Sequence, residues 1–344
     1  MSPLASFIFL SSLATGTTIT LASYHWLLAW IGLEINTLAI IPLMTKTPHP
    51  RAIEAATKYF LTQAAASALI LFSTMVNSWT QGEWDILLTS PSLTVPVSIA
   101  LAMKLGLAPL HFWMPEVIQG IPLSTGLILS TWQKIAPMTL LIQVSKTCDL
   151  QLMVIISLIS IIVGGWGGIN QTQLRKIMAF SSIGHLGWMI LILKLNPDLT
   201  MFNFIIYIMM TSAMFISLMF LNTTKISQLS TSWPKAPAAT TSSMLILLSL
   251  GGLPPLTGFA PKLLISMELI KQNSSILAGT ILLASLLALY FYIRLTYVMT
   301  LTLPPNSSSS VASWHSSANS LPMTIMTIAA LLFLPMSSTI MSIL

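Results

Sequence analysis

Runs of about twenty apolar residues follow one another along almost the whole chain, and four of them carry a charge near mid-length: Glu34, Lys104, Lys134 and Lys262. A helix needs roughly 20 apolar residues to cross the hydrocarbon core of a bilayer. Inside lipid every backbone donor and acceptor must be satisfied within the protein, which leaves helices or closed barrels. Uninterrupted apolar runs, rather than short alternating ones, select the helix. With 55% hydrophobic and 6% charged residues, no soluble domain fits. The fold class is therefore all-α integral membrane. A charge at the bilayer centre costs roughly 2.5 to 3.5 kcal/mol on insertion scales, so it is retained where it faces protein or water and has work there.

The pattern predicts about eleven transmembrane helices, near 3–22, 25–44, 56–77, 92–115, 122–144, 149–169, 174–194, 198–220, a broken one at 238–271, then 275–299 and 322–343. Tryptophans such as Trp26, Trp84 and Trp233 are expected at the membrane boundaries. Connectors after even-numbered helices, with their flanks, hold Lys46, Arg51, Lys58, Arg175, Lys176, Lys225 and Lys235. The other side holds Lys146, Lys194 and Lys271 together with Glu83 and Asp85. The positive side should face the cytoplasm or matrix and should carry the N-terminus, with the C-terminus opposite. The opening residues lack a basic segment, so neither a signal peptide nor a transit peptide is expected. The 14 basic residues are scattered singly, which argues against a nucleic-acid partner. Cys148, the only cysteine, excludes an internal disulfide and any cysteine-ligated iron–sulfur or zinc site in this chain.

Gly/Pro interruptions fall in the fourth helix, at Gly106, Pro109 and Pro115, and five helices later in the ninth, at Gly251, Gly252, Pro254, Pro255, Gly258 and Pro261. Proline removes a backbone donor and clashes with the preceding turn, so both should be discontinuous helices whose freed carbonyls need polar partners. A unit of five crossings has odd parity, and a second copy would lie inverted. The expected organisation is two inverted five-helix repeats, 1–145 and 149–299, each with a broken helix, followed by a C-terminal helix at 322–344. Inverted repeats with matched broken helices are the pattern of ion-coupled transporters. Prolines that merely kink packed helices are the plainer alternative.

Removal from water disfavours the charged form of an amine, so a lysine held at bilayer depth can exchange protons. A carboxylate such as Glu34 would hold Lys104 protonated, and separating the two would release the proton; a static ion pair locking helices is the alternative. Lys134 has no obvious carboxylate in its own or the adjacent segment. His185, among Ser181 and Ser182, offers an imidazole at a useful depth, or a hydrogen-bonded packing histidine. His111 sits at the first break, whereas His25, His49 and His315 lie at helix ends or in connectors. Gly164, Gly165, Gly167 and Gly168 suit close helix contact. Neither a histidine pair for haem nor a Gly-rich nucleotide loop is evident.

The segments WIGLEINTLAIIPL, KYFLTQAAASALIL, MKLGLAPLHFWMPEV, QKIAPM and LGGLPPLTGFAPK resemble the antiporter-like subunits of respiratory complex I over the full length. That resemblance implies a core membrane subunit of NADH:ubiquinone oxidoreductase that carries protons across the mitochondrial inner membrane, driven by quinone reduction elsewhere in the complex. By motif position, Glu34 is the carboxylate of the charge pair, Lys104 its partner in the first broken helix, Lys134 the bridging lysine and Lys262 the lysine of the second broken helix, with His185 in a central relay place. It implies no cofactor in this chain; FMN, iron–sulfur clusters and ubiquinone belong to other subunits. Expected partners are sibling antiporter-like subunits, accessory subunits and lipids such as cardiolipin. The N-terminus is expected in the matrix and the C-terminus in the intermembrane space. Compared with larger family members the chain starts where their fourth helix would be and lacks their long lateral helix. A stand-alone cation/proton antiporter and a non-conducting assembly scaffold are the competing functions.

Overall fold

The computed structural model describes residues 2–46, 48–234, 236–302, 321–335, 337 and 339. Among them the regular elements are helices: α1 (Pro3–Ala22), α2 (Trp26–Met44), α3 (Pro50–Gln81), α4 (Pro91–Leu105), α5 (Trp113–Gly120), α6 (Leu123–Ser130), α7 (Ile135–Val144), α8 (Leu150–Ile169), α9 (Leu174–Ile192), α10 (Pro197–Leu221), α11 (Ile226–Ser230), α12 (Pro237–Gly251), α13 (Phe259–Lys271), α14 (Ser275–Leu301) and α15 (Leu321–Leu332). Six of the described helices, α1, α2, α3, α8, α10 and α14, are long and apolar enough to cross a membrane on their own. Shorter apolar helices such as α4 and α12 are halves of interrupted ones. Lys235, His315 and most of the helix expected at 322–343 beyond Leu332 lie outside the described residues.

Local chemistry explains the helix ends. Pro50 opens α3 because its missing N–H is one that a first turn leaves unused anyway, and His49 Nδ1 accepts from the Arg51 N–H at 3.1 Å. The helix therefore starts earlier than the apolar run alone suggests. Gly82, at φ 76°, closes it. His25 caps α2 in the same way through Leu27 N–H, at 3.2 Å.

The chain divides into two compact units, Met1–Ser160 with Leu193–Pro197, and Ile161–Ile192 with Asp198–Leu344. In the first, α1 packs closely on α2, because Gly16 and Gly32 let the backbones approach; a Cβ on Gly32 would lie 2.8 Å from Gly16 O. Helix α3 packs on α2, α4 and α5. Two connectors pair beneath them, Trp26 N–H donating to Trp84 O at 3.1 Å and Ile86 N–H to Tyr24 O at 3.0 Å. Trp26 is fully buried there beneath the paired connectors. An indole near a span end serves equally well as a plug when connectors fold over it.

Cys148, in the α7–α8 connector, is buried, and its carbonyl accepts from Lys194 Nζ at 2.6 Å. Burial pushes its thiol up to about 11, with Lys194 pulling weakly the other way. At neutral pH the group is a thiol rather than the reactive thiolate. Maleimide labelling of the native protein at pH 7.5 should therefore leave Cys148 unmodified, with labelling appearing on unfolding.

In the second unit, the glycines of α8 make the contacts expected of them. A Cβ on Gly164 would meet Gly184 N of α9 at 2.7 Å, and one on Gly168 would meet the Phe291 ring of α14 at 2.8 Å. Helix α12 packs on α14 and α15, and α13 packs on α9 and α14.

Candidate functional site

Both interrupted helices end their first halves with the same device. At the end of α4, Gly106 at φ 78° donates to Met103 O at 3.1 Å and Leu107 to Ala102 O at 3.0 Å; at the end of α12, Gly252 at φ 80° donates to Ser249 O at 2.9 Å and Leu253 to Leu248 O at 3.4 Å. This paired closure by a left-handed glycine is a Schellman cap. Gly106-Leu107, Pro109-Leu110 and Pro115 recur in register as Gly252-Leu253, Pro255-Leu256 and Pro261. The charges do not recur: Leu250 stands where Lys104 does, and Lys262 stands where Glu116 does. Lys104 is thus on the half before its break and Lys262 on the half after. In the first unit Trp113 braces the break, its Nε1 donating to Met103 O at 3.1 Å while its ring meets Tyr59 edge-on.

A third interruption divides what the apolar pattern predicts as a single helix at 122–144. The chain leaves α6 at Ser130, makes a 3₁₀ turn at Trp132–Lys134 and resumes as α7. The cause is Pro137, which cannot donate to the Gln133 carbonyl and whose ring crowds it. Lys134 sits at the turn, 3% exposed, with its side chain brought into the unit's interior.

The breaks after Leu105 and Ser130 open onto a cavity in the first unit, lined by Asn36, Thr37, Tyr59, Gln63, Lys104, Gln133 and Lys134, together with Leu33, Leu105, Trp113, Leu129 and Pro137. It leaves about 20 Å³ for water centres, enough for at least one molecule. Lys104 Nζ, Gln63 Nε2 and both side-chain polar atoms of Asn36 are buried without a protein hydrogen-bond partner among the described residues. Buried polar atoms of that kind are normally solvated, and the residues that carry them all line the cavity, which makes it a polar chamber in an apolar interior. Gln133 Nε2 donates to Asn36 O at 3.1 Å, tying the 3₁₀ turn to α2.

Glu34 does not line this chamber, although its neighbours Leu33, Asn36 and Thr37 do. Its Oε2 accepts from the Thr37 hydroxyl at 3.0 Å. Among the described residues no ion pair within 4.0 Å joins it to Lys104; the carboxylate acts on that lysine through space. Glu34 and Lys104, expected as a separable charge pair, are therefore not in ion-pair contact in this structure. The ion pairs of this unit lie on its outer face, where Lys58 bridges Glu54 at 2.7 Å and Glu116 at 2.6 Å.

The second unit has its own smaller cavity, lined by His185, Asn203, Tyr207 and Lys262 with Trp188, Ile206, Met210, Gly258 and Pro261. It leaves about 10 Å³ for water centres. His185 and Lys262, far apart in sequence, are thus brought to one chamber. The His185 and Tyr207 rings stand 5.9 Å apart, and Ser182 is a side-chain hydrogen-bond partner of Tyr207. Lys262 Nζ donates to Gly251 O at 2.7 Å, one of the carbonyls that α12 frees by ending. Its chain lies across Gly252, where a Cβ would stand 2.9 Å from Lys262 Cδ. His111 is buried at the first break but lines neither chamber. Tyr59, Asn36, Gln63, Gln133, Asn203 and Tyr207 are the lining residues that charge and Gly/Pro spacing pass over. Their signal is a polar side chain placed mid-run.

The comparisons with known proteins agree with this architecture. A family model described as NADH:quinone oxidoreductase/Mrp antiporter, membrane region, matches residues 23–288, and one described as the NADH dehydrogenase subunit 2 C-terminus matches 289–341. The NADH-ubiquinone oxidoreductase chain 2 of Aquarana catesbeiana is 66% identical over 99% of both chains, and that of Xenopus laevis 57% identical over 98% of this chain and 99% of its own. A chain of respiratory complex I from Thermus thermophilus with bound aureothin superposes with a TM-score of 0.84 at 25% identity, covering 97% of this chain and 80% of that one. A chain of the Mrp complex from a Dietzia species shares the fold, with a TM-score of 0.84 at 16% identity, over 96% of this chain and 74% of its own. The broken helices, the buried lysines and these matches together place the chain in the NADH:quinone oxidoreductase/Mrp antiporter family of membrane proteins.

Proposed function

We propose that this chain is a proton-translocating core membrane subunit of NADH:ubiquinone oxidoreductase. The observation that carries the reading is that each unit holds a lysine-lined polar chamber beside a capped helix break, inside an otherwise apolar interior. Lys104 and Lys134 share the first chamber and Lys262 and His185 the second. The relay is proposed to start when quinone reduction in a neighbouring module shifts Glu34 relative to Lys104. Protons then redistribute through Lys134 and His185 to Lys262. The chain does no redox chemistry in this scheme, with FMN, iron–sulfur clusters and ubiquinone held by other subunits.

The finer arrangement belongs to the same proposal. Eleven crossings, an inverted relation between 1–145 and 149–299, and a final helix at 322–344 put the N-terminus in the matrix and the C-terminus in the intermembrane space. Sibling antiporter-like subunits, accessory subunits and inner-membrane lipids such as cardiolipin are the proposed neighbours.

The test is the number of protons moved per electron pair by the assembled complex in sealed vesicles. Lys262→Gln keeps a donor for Gly251 O but cannot carry a proton, and it is expected to lower that ratio while NADH oxidation by the detergent-solubilised complex persists. An unchanged ratio would reject Lys262 as a carrier.

A further inference from the structure

We propose that Tyr292, on α14 and outside the second chamber, is a further proton-carrying residue of the relay, joined to it by a file of hydroxyls on α9 and α10. Packing alone does not call for a tyrosine there. The ring is 1% exposed, set against Phe291 of its own helix and over the end of α12, where a Cβ on Gly251 would stand 3.6 Å from Tyr292 Cβ. Phenylalanine would fill that space as well. The hydroxyl is buried with no hydrogen bond of ordinary geometry among the described residues, and burial of that kind is unfavourable. A side chain placed only to pack would be more stable without the oxygen.

Other hydroxyls surround that oxygen. Ser181 of α9 lies within its reach, and the next residue, Ser182, is the side-chain hydrogen-bond partner of Tyr207 on α10. Ser181 donates to Met178 O at 2.8 Å and Ser182 to Ala179 O at 2.7 Å, so both serine oxygens have lone pairs left for a tyrosine O–H. None of the four side chains is more than 3% exposed. The file meets an ionisable group at each end. Tyr207 lines the chamber with its ring 5.9 Å from that of His185, and Tyr292 covers Gly251, whose carbonyl accepts from Lys262 Nζ. The chamber itself leaves about 10 Å³ for water centres, at the lower limit for one molecule. Fixed hydroxyls can therefore carry what so small a space conducts poorly. A proton leaving the His185 imidazolium is accepted on the first oxygen, each hydroxyl passes its own proton onward, and the neutral Lys262 amine takes up the last. No co-reactant is consumed, and rotation of the O–H bonds resets the file.

The role of Tyr292 rests on the relay proposed above, and the experiment separates the two. Protons moved per electron pair are measured for the assembled complex in sealed vesicles, as wild type, Lys262→Gln, Tyr292→Phe and the double variant. Tyr292→Phe is expected to lower the ratio by the same amount as Lys262→Gln, and the double variant to fall no further, because two groups in one path fail together. The melting temperature of the Tyr292→Phe complex should be unchanged or raised, which a packing role for the hydroxyl would not allow. A wild-type ratio in Tyr292→Phe beside a lowered one in Lys262→Gln overturns the role of Tyr292 and leaves the relay standing. A wild-type ratio in Lys262→Gln overturns the relay and this inference with it. If Tyr292→Phe does not assemble, Ser181→Ala, which removes the oxygen beside Tyr292, carries the same test: a ratio lowered as in Lys262→Gln upholds the file, and a wild-type ratio overturns it.

Discussion

Proton export by the assembled complex should fall steeply when Lys104 is replaced by methionine. The substitution keeps the side chain's length and apolar stem, so packing at the end of α4 is largely conserved, while the only group removed is the amine that faces the chamber. Because Glu34 acts on Lys104 through space and Tyr59, Gln63 and Lys134 line the same cavity, the loss also deprives the first chamber of its response to the carboxylate. The expected outcome is a lower ratio of protons to electrons together with slower coupled NADH oxidation. The size of the buried Nζ's contribution is that of a desolvated charge rather than a surface one. Full pumping stoichiometry in Lys104→Met would remove it from the relay, and a scaffold role would then account better for the chain.

Loss of assembly is the expected result for Gly258→Ala. Gly258 lies in the second break with an ordinary φ of −67°, so the objection to a side chain there is space rather than backbone strain. An added Cβ would overlap Ser249 O outright and stand 2.9 Å from Met210 Cε. The carbonyl belongs to the last turn of α12 and is held by the Gly252 N–H, so it cannot yield without undoing the cap. Overpacking of this kind, combined with loss of the cap, should exceed about 4 kcal/mol, the range reached only by a few severe mechanisms. Native gels of the membrane fraction would report it as a missing or truncated complex. Normal assembly with a normal melting temperature would show that the break is looser than its contacts imply.

How much of the molecule is legible in its sequence depends on the kind of signal. Helices α1, α2, α8 and α14 start and stop within a residue or two of their apolar runs, because their caps fall at the ends of those runs. The breaks after Leu105 and Gly251 are readable because glycine and proline interrupt those runs directly. The turn at Trp132–Lys134 escapes the pattern because its cause, Pro137, sits within the following helix and acts on a carbonyl four residues back. The resemblance to the family pairs Glu34 with Lys104; which way the carboxylate rotates is settled by a local hydroxyl, here Thr37, and no sequence motif encodes that. The chamber walls are hidden for a similar reason. Gln63 and Tyr59 lie on α3 and Asn36 on α2, and only packing shows that these faces converge.

The register shared by the two breaks, with Lys262 standing where Glu116 does, separates the joint from the cargo. Glycine and proline make each joint, and they do so whatever ionisable group is mounted nearby. The same joint therefore carries opposite charges in its two occurrences: an exposed Glu116 paired with Lys58 after the first break, and Lys262 folded back against Gly251 O after the second. Which ionisable group each joint presents is then a matter of exchanging single side chains, leaving the articulated backbone untouched.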